Sequence, residues 1–489
     1  MSSLLAEDDD GKDGSDGAAA DEDDFLTRAT RPTKEAAGTG NIRVAVRVRP
    51  PNARELCGSG SSVCVVVDPA AARVTLGKDH AFTVDVAFPM DCTQLDIFKA
   101  IGVDLVSHSW NGYNASMFAY GQTSSGKSFS MMGVRGDVEL EGIIPRICDL
   151  IFKSADSFLA GGPGEEDNEV HIEASYLEIY NEAVVDLLGG CEKLKLREDP
   201  HLGVFAVGLT KEELSSGKGA LEAIERGASG RKVASTKYNS ESSRSHAIFE
   251  IHIHKQYQVD GSAMQSNSRL SLTDLAGSER SAKLGSSGST LREGNNINKS
   301  LAVLGKCIRA LVVAQSGKKV FPPFRESSLT FYLRESLAGN VLTTMLAAVS
   351  PVSLNTEETL STLRYAASAK NIKTTVKKNE DPAQVKIREL TNEVEQLKRK
   401  LAMAERKTLG AAQLIDFLRE QQAAEAGVAA VIEEEEGGGN REAAGKTVKR
   451  RASTLQARLA LERSVSSLTG NMDEVPTGTP LGIVPGSAL

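Results

Sequence analysis

Residues 41–371 are predicted to form one α/β domain, a central mixed β-sheet with helices on both faces, and three observations carry that prediction. The β-type runs IRVAVRV (42–48), EVHIEASYLEIY (169–180), HAIFEIHIH (246–254) and RLSLTDL (269–275) alternate with helix-length amphipathic stretches. The apolar run ASMFAY leads directly into the glycine-rich segment GQTSSGKS at 121–128, with a helix-like stretch after it. Apolar residues make up 40% of the 489, enough for a sizeable packed core.

Taken in chain order, residues 1–40 are rich in Asp, Gly, Ala and Thr and nearly devoid of bulky apolar side chains, so a disordered acidic arm is expected. Ten acidic groups against Lys12 give residues 1–24 a net charge of −9, which leaves +1 for the remainder of a chain whose total is −8. Because charges are screened over about 8 Å at physiological salt, such an arm does not cancel a basic patch on a distant face, and an acidic partner stays possible. The α/β domain follows, then IKTTVKKNEDP at 372–382 as a linker. Residues 383–426 read as a helix, and 427–489, with EEEEGGG and a Ser, Thr, Gly and Pro-rich end, as largely disordered tail. The six cysteines (57, 64, 92, 148, 191 and 307) show no paired spacing of the zinc or disulfide kind and read as reduced thiols. No basic-then-apolar leader and no run of about 18 apolar residues occurs, so neither secretion nor membrane spanning is expected, and nothing in the pattern points to nucleic acid.

GQTSSGKS fits GxxxxGK[ST] in its required context of a preceding strand and a following helix. Gly121 and Gly126 let backbone amides turn inward around an anion, with Gln122, Thr123, Ser124 and Ser125 forming the loop between them. Lys127 is placed to supply a point charge to the β and γ phosphates, and Ser128 a hydroxyl to Mg²⁺. Asp274, at the end of an apolar strand, is where a carboxylate would hold the Mg²⁺ shell through water. Gly277, lacking a Cβ, would let its amide sense the γ-phosphate. The motif by itself specifies only a nucleoside triphosphate.

Two further segments narrow the reading. NSESSRSH at 239–246 and DLAGSER at 274–280 closely resemble switch I and switch II of the kinesins. VRVRPPN (46–52), SYLEIYNEAVVDLL (175–188), NNINKSLAVLGKCIRAL (295–311) and LRYAASAKNIK (363–373) resemble the same family in the same order. The resemblance covers about 330 residues. It implies the kinesin P-loop NTPase fold, ATP and Mg²⁺ as cofactors, and microtubule-stimulated ATP hydrolysis. It also implies that Arg244 and Glu279 form an ion pair around bound ATP that positions the attacking water, Glu279 acting through water as base. Ser243 would join Ser128 and Asp274 at the metal, while Asn239 and Ser242 would meet the γ-phosphate or the lytic water. Arg47 and Pro50 would flank the adenine and Phe129 would stack on it, with Arg49 also in the cofactor-binding set and Phe129 standing where other kinesins carry His or Tyr.

By the same resemblance the microtubule face would be built from Arg280, Lys283, Lys299, Lys306, Arg309, Lys318, Lys319 and Arg325, whose charge suits an acidic tubulin surface. This chain departs from the family at FPPFRESSLTFYL (321–333), where Ser328 takes a Lys position and Phe331 an Arg position. Residues 372–382 resemble the neck linker of N-terminal-motor kinesins, with Ile372 and Val376 expected to dock on the core when ATP is bound and plus-end movement implied. The NEDP run and the helix at 383–408 most resemble the kinesin-three transport class. Ile387, Leu390, Val394, Leu397 and Leu401 alternate by three and four, a seam of about two heptads that fits either a weak homodimer or a helix folded back on its own motor. The implied location is the cytoplasm, on the microtubule cytoskeleton. Depolymerisation of filament ends and a non-motile microtubule-binding regulator are the alternatives, and the cargo is not legible.

Overall fold

The computed structural model describes residues 15–31, 38–57, 62–161, 167–199, 203–238, 242–259, 262–279 and 289–379, together with 390, 393–404, 410 and 413–423. The strands are β1 (Gly38–Asn41), β2 (Arg43–Val48), β3 (Val65–Asp68), β4 (Arg73–Leu76), β5 (His80–Thr83), β6 (Val86–Phe88), β7 (Ala115–Tyr120) and β8 (Glu169–Tyr180). They continue with β9 (Ala183–Asp186), β10 (Lys193–Asp199), β11 (Gly203–Val207), β12 (Glu212–Glu213), β13 (His246–Val259), β14 (Ser262–Asp274), β15 (Leu342–Val349) and β16 (Lys373–Val376). The helices are α1 (Ser15–Thr30), α2 (Ala53–Leu56), α3 (Gln94–Ile97), α4 (Val103–Trp110), α5 (Lys127–Met131), α6 (Ile143–Ala160), α7 (Gly217–Tyr238), α8 (Ser289–Gln315), α9 (Ser328–Tyr332), α10 (Arg334–Ala338) and α11 (Thr356–Ala369).

The main sheet runs β11-β10-β9-β8-β13-β14-β7-β15-β2-β6, with β12 on β8. Pairing is parallel from β14 through β7, β15 and β2 to β6 and antiparallel on the other side. The centre of such a sheet is covered on both faces, so its strands read as unbroken apolar runs. β7 is buried at all six positions. Phe118 belongs to one core cluster with Ile308 and Leu363 of α8 and α11, whereas Met117 and Ala119 belong to the other with Ile147 and Ile151 of α6. These two apolar layers fix the end of β7, and with it the loop at 121–126.

The expected disordered arm is corrected at two places. Residues 15–30 form α1, whose Phe25 and Ala29, one turn apart, are buried among Phe98 and the residues of α4 and α6. The Phe25 and Phe98 rings meet edge to face at 5.6 Å, and Arg28 reaches Asp104 at 3.6 Å. Ala18, Ala19 and Ala20 are strong helix formers, and Arg28 in the last turn suits the helix dipole. An acidic composition hid a helix in which, among the described side chains, Phe25 and Ala29 are buried. Further on, Gly38–Asn41 is a strand because it pairs antiparallel with β16, Gly38 opposite Val376 and Asn41 opposite Lys373. Residues 1–14 and 32–37 lie outside the described residues.

β16 continues from the core helix α11; Ile372 and Val376 are fully buried, Ile372 in the same core cluster as α8 and α11. At the end of α8, Gln315 accepts a hydrogen bond from the Lys373 N–H (3.1 Å) and donates one to its carbonyl (3.0 Å). Residues 389–489 form a separate unit, helical at 393–404 and 413–423, in which Leu390, Val394, Leu397 and Leu401 are exposed. Ile387 and the tail from 424 onward lie outside the described residues. Among the described residues no helix is long and apolar enough to cross a membrane.

Candidate active site

The sheet delivers two chain segments side by side. β7 and β14 are parallel neighbours with Asp274 opposite Ala119, so the loop after Tyr120 and the residues after Asp274 emerge at the same edge. Ser278 N–H donates to the Gly121 carbonyl (3.1 Å), which ties the two together. The P-loop then turns through Gly126 at a φ of 102°, open to glycine at little cost, into α5. Lys127 is buried, and its ammonium donates to the carbonyls of Gly121 and Gln122, both at 2.9 Å. Burial lowers its pKa from the usual lysine value, while Asp274 and Glu279 act against that shift.

Ser128 Oγ donates to Asp274 Oδ2 at 2.5 Å. Asp274 Oδ1 is buried and makes no hydrogen bond, as are Gln122 Oε1 and Ser125 Oγ in the same loop. Three orphaned polar atoms in one small region are costly unless a ligand answers them. The oxygen donors are hard, one carboxylate and hydroxyls, which suits Mg²⁺ held mainly by water and phosphate; among the described residues no cluster of His, Cys, Asp and Glu could cage a metal alone. A cleft of about 580 Å³ joins Lys127, Ser128, Ser243 and Asp274 to Thr123, Ser124, Arg49, Pro50 and Phe129.

Glu279 takes a position that the sequence reading did not anticipate. Its carboxylate accepts from the Thr123 N–H at 2.7 Å and from the Thr123 hydroxyl, so both oxygens are held by the P-loop rather than by Arg244. Arg244 closes the short 3₁₀ turn Ser242–Arg244. The two switch segments are joined instead through backbone, Gly277 N–H donating to the Ser243 carbonyl at 2.9 Å. A Cβ at Gly277 would fall 2.2 Å from Thr123 Oγ1 and 2.5 Å from Glu279 Oε2, so the close approach of the three requires glycine. Asn239, the Ser242 side chain, Arg280 and Lys283 lie outside the described residues.

At the outer end of the cleft Phe129 is 37% exposed and Arg47 lies 5.0 Å from its ring centroid. The Arg47 guanidinium is buried and donates to Gln94 Oε1 (2.7 Å) and Ser130 Oγ (2.8 Å), with burial lowering its pKa. It therefore braces Phe129 from behind. Arg49 donates to the Ser124 carbonyl (2.7 Å) and grips Glu55 with two bonds of 2.7 Å, and that pairing holds the Glu55 carboxyl down at about 2.

Sequence reasoning missed His246 and Gln94. His246 is fully enclosed; its Nδ1 accepts from the Ala276 N–H (3.0 Å), so Nε2 carries the proton and donates to Ser300 Oγ (2.8 Å). One neutral imidazole thus links β13, switch II and α8. The serine-rich SRSH run was the available signal, but its partners are 30 and 54 residues away. Gln94 bonds Arg47 and the Phe129 carbonyl (2.6 Å), a role that no local pattern announces.

Of the cations expected on the track face, Lys299, Lys306 and Arg309 are exposed along α8 and Lys318 and Lys319 follow its end. Lys306 pairs with Glu326 at 3.0 Å, and Arg325 pairs with Glu198 at 2.5 Å while lying 4.6 Å from the Phe331 ring. Ser328 is used locally, its N–H and hydroxyl both bonding Glu182.

Residues 47–372 match the kinesin motor domain family. The chain is 42% identical over 389 residues to Kinesin-related protein 1 of Dictyostelium discoideum, covering 73% of this chain and 17% of that protein. It is 42% identical over 393 residues to human KIF13B (75% and 21%) and 42% over 380 residues to unc-104 of Caenorhabditis elegans (73% and 23%). The matched region thus spans about a fifth of the length of these relatives. Among solved structures, a fast kinesin described for its ATPase mechanism and microtubule interactions superposes with a TM-score of 0.64 at 41% identity, covering 70% of this chain and 94% of that one. A KIF14 dimer with AMP-PNP on a microtubule gives 0.65 at 39% identity, covering 72% and 100%. With the P-loop, both switches and the sheet order in place, this chain belongs to the kinesin motor domain family, whose members are microtubule-stimulated ATPases.

Proposed function

We propose that this chain is an ATP-hydrolysing microtubule motor that couples closure of its switch segments to docking of the neck segment 372–382 and moves toward microtubule plus ends. One observation carries the coupling: α8, the helix that follows switch II, ends on Gln315, and Gln315 holds both backbone groups of Lys373 in the docked neck strand. A shift of α8 would therefore be felt at the neck without an intermediary. Such an arrangement is a two-state element that a ligand's γ-phosphate can bias.

In this reading Lys127 meets the β and γ phosphates of ATP, and the P-loop amides between Gly121 and Gly126 cradle them. Ser128, Ser243 and, through water, Asp274 would hold Mg²⁺, which neutralises phosphate charge during transfer. Glu279 must leave Thr123 before it can meet Arg244, so the Thr123 contact keeps the water-positioning pair apart until the switches close. Arg47, Pro50 and Phe129 form the base platform. Lys299, Lys306, Arg309, Lys318, Lys319 and Arg325 face tubulin, joined by Arg280 and Lys283. The chain works in the cytoplasm on the microtubule cytoskeleton, as a weak homodimer through 383–408.

Steady-state ATP turnover with and without microtubules tests this. We expect stimulation at low salt that weakens as salt rises, as for any contact built on surface cations. Turnover indifferent to microtubules would refute the motor reading, and stimulation indifferent to salt would refute the cationic face.

A further inference from the structure

Lys255, in the middle of β13, is only 8% exposed. Its ammonium lies 4.4 Å from the ring centroid of Trp110 at the end of α4, 5.2 Å from Phe158 in the last turn of α6, and 5.8 Å from Tyr257 on its own strand. The rings brace one another, Trp110 with Phe158 at 5.8 Å and Phe158 with Tyr257 at 6.3 Å, both edge to face. The cross-strand neighbours of Lys255 are Val170 on β8 and Ser266 on β14, neither charged. This is an aromatic cage of the kind that binds ammonium ligands, filled by a lysine of the same chain. Among the described residues no carboxylate pairs with Lys255, and the charge that acts on it is the like charge of Lys378.

Lys378 lies just beyond β16, where the docked neck is pinned. Lys377 N–H donates to Asn340 Oδ1 (2.6 Å) and Asn379 N–H to the Gly112 carbonyl (2.8 Å). The Asn379 side chain donates to Asn114 Oδ1 (2.8 Å) and accepts from Asn340 Nδ2 (3.0 Å). A Cβ at Gly112, two residues past Trp110, would stand 3.3 Å from Lys378 Cε and 2.4 Å from Ser266 Oγ. The Lys378 stem therefore runs past the turn that ends the cage, beside the strand partner of Lys255. Ser266 Oγ is itself buried without a hydrogen bond.

We propose that Lys255 and its aromatic cage form a proton-linked seat for the end of the neck: docking sets the Lys378 ammonium against Lys255, so the docked neck is favoured when Lys255 is neutral and opposed when it is charged. The inference rests on reading 372–382 as a neck linker. Burial, with Lys378 acting in the same direction, brings the Lys255 pKa down from 10.5 to about 7. Undocking removes the like charge and raises that value. Docking thus releases a proton to solvent, and the docked fraction rises with pH from about 7 up to the undocked value. Below that window Lys255 is charged in both states and docking loses the support.

Trp110 is the single tryptophan of the chain, so its fluorescence in the full-length protein reports on the cage directly. Titration from acid to alkaline pH should show a transition near 7 that is absent in Lys255→Met and in Lys255→Gln. In Lys378→Ala, which keeps the cage intact, its midpoint should rise by roughly half a unit or more. A featureless titration, or a midpoint that ignores Lys378→Ala, would overturn the proposal. Amide exchange at 373–379, corrected for intrinsic pH dependence, should gain several-fold protection with rising pH in the wild type and stay flat in Lys255→Met. Equal profiles would also overturn it. If the Trp110 transition behaves as stated but ATP leaves protection at 373–379 unchanged, the neck-linker reading fails and the charge coupling stands.

Discussion

Replacing Phe25 with alanine separates a docked N-terminal helix from a dispensable acidic arm. Phe25 is 7% exposed, meets Phe98 edge to face at 5.6 Å, and lies under the Lys99 ammonium at 5.7 Å. A phenylalanine truncated in a closed core costs about 3–5 kcal/mol. Here the loss has a ceiling, because α1 packs from outside on Phe98, α4 and α6 and can undock instead of holding a cavity open. Burial of one phenylalanine with its ring pair puts that ceiling at about 3 kcal/mol. The Arg28–Asp104 contact adds little, since both side chains are about 40% exposed. We expect Phe25→Ala to lower stability by about 2 kcal/mol, a fall in Tm of about 3 °C for a domain of this size. Trypsin should also cut at Arg28, which precedes Ala29, much faster. Once Phe25 is gone, deleting residues 1–31 should cost little more, since both changes remove the same docking. A Tm and a cleavage rate both equal to wild type would show that α1 does not hold the motor, and the packing argument would fall.

Other outcomes follow from the site and the neck. Glu279→Ala and Arg244→Ala should each lower microtubule-stimulated turnover by about 10²-fold or more while sparing nucleotide affinity, measured by titration with a fluorescent nucleotide. Lys127→Ala should weaken that affinity itself. His246 is held neutral by burial, with a pKa lowered from 6.5 to about 3, so only the unfolded chain takes up its proton as pH falls through that window. Stability should therefore drop below about pH 6.5 by up to about 1.4 kcal/mol per unit on its account, and His246→Gln should flatten the urea-midpoint profile by that share. Leu390→Glu with Leu397→Glu should abolish concentration-dependent dimerisation in sedimentation while leaving single-head ATPase intact; a dimer that survives both places the contact elsewhere.

How much of this could be read from the sequence depended on how local the physics is. The phosphate loop was legible because its chemistry is complete within eight residues, and the strand at 169–180 because its apolar run is long and dense. Helix α1 was not, since Phe25 and Ala29 in an acidic stretch leave no periodic signal. Strand β1 reads GTGN and owes its form to the β16 backbone opposite it, which side-chain patterns do not report. The Glu279–Thr123 contact spans 156 residues and the Ser300–His246 bond 54. Motif spacing names such residues without showing which partner each holds. The Lys255 cage draws on α4, α6 and β13, and no one of these segments betrays it.

The central claim, that hydrolysis drives movement, is tested most directly by a gliding assay in which the surface-bound protein meets labelled microtubules with ATP. We expect continuous gliding led by microtubule minus ends, as plus-end-directed motors produce, and none with Lys127→Ala. Microtubules that attach without moving, or that shorten from their ends, would contradict it.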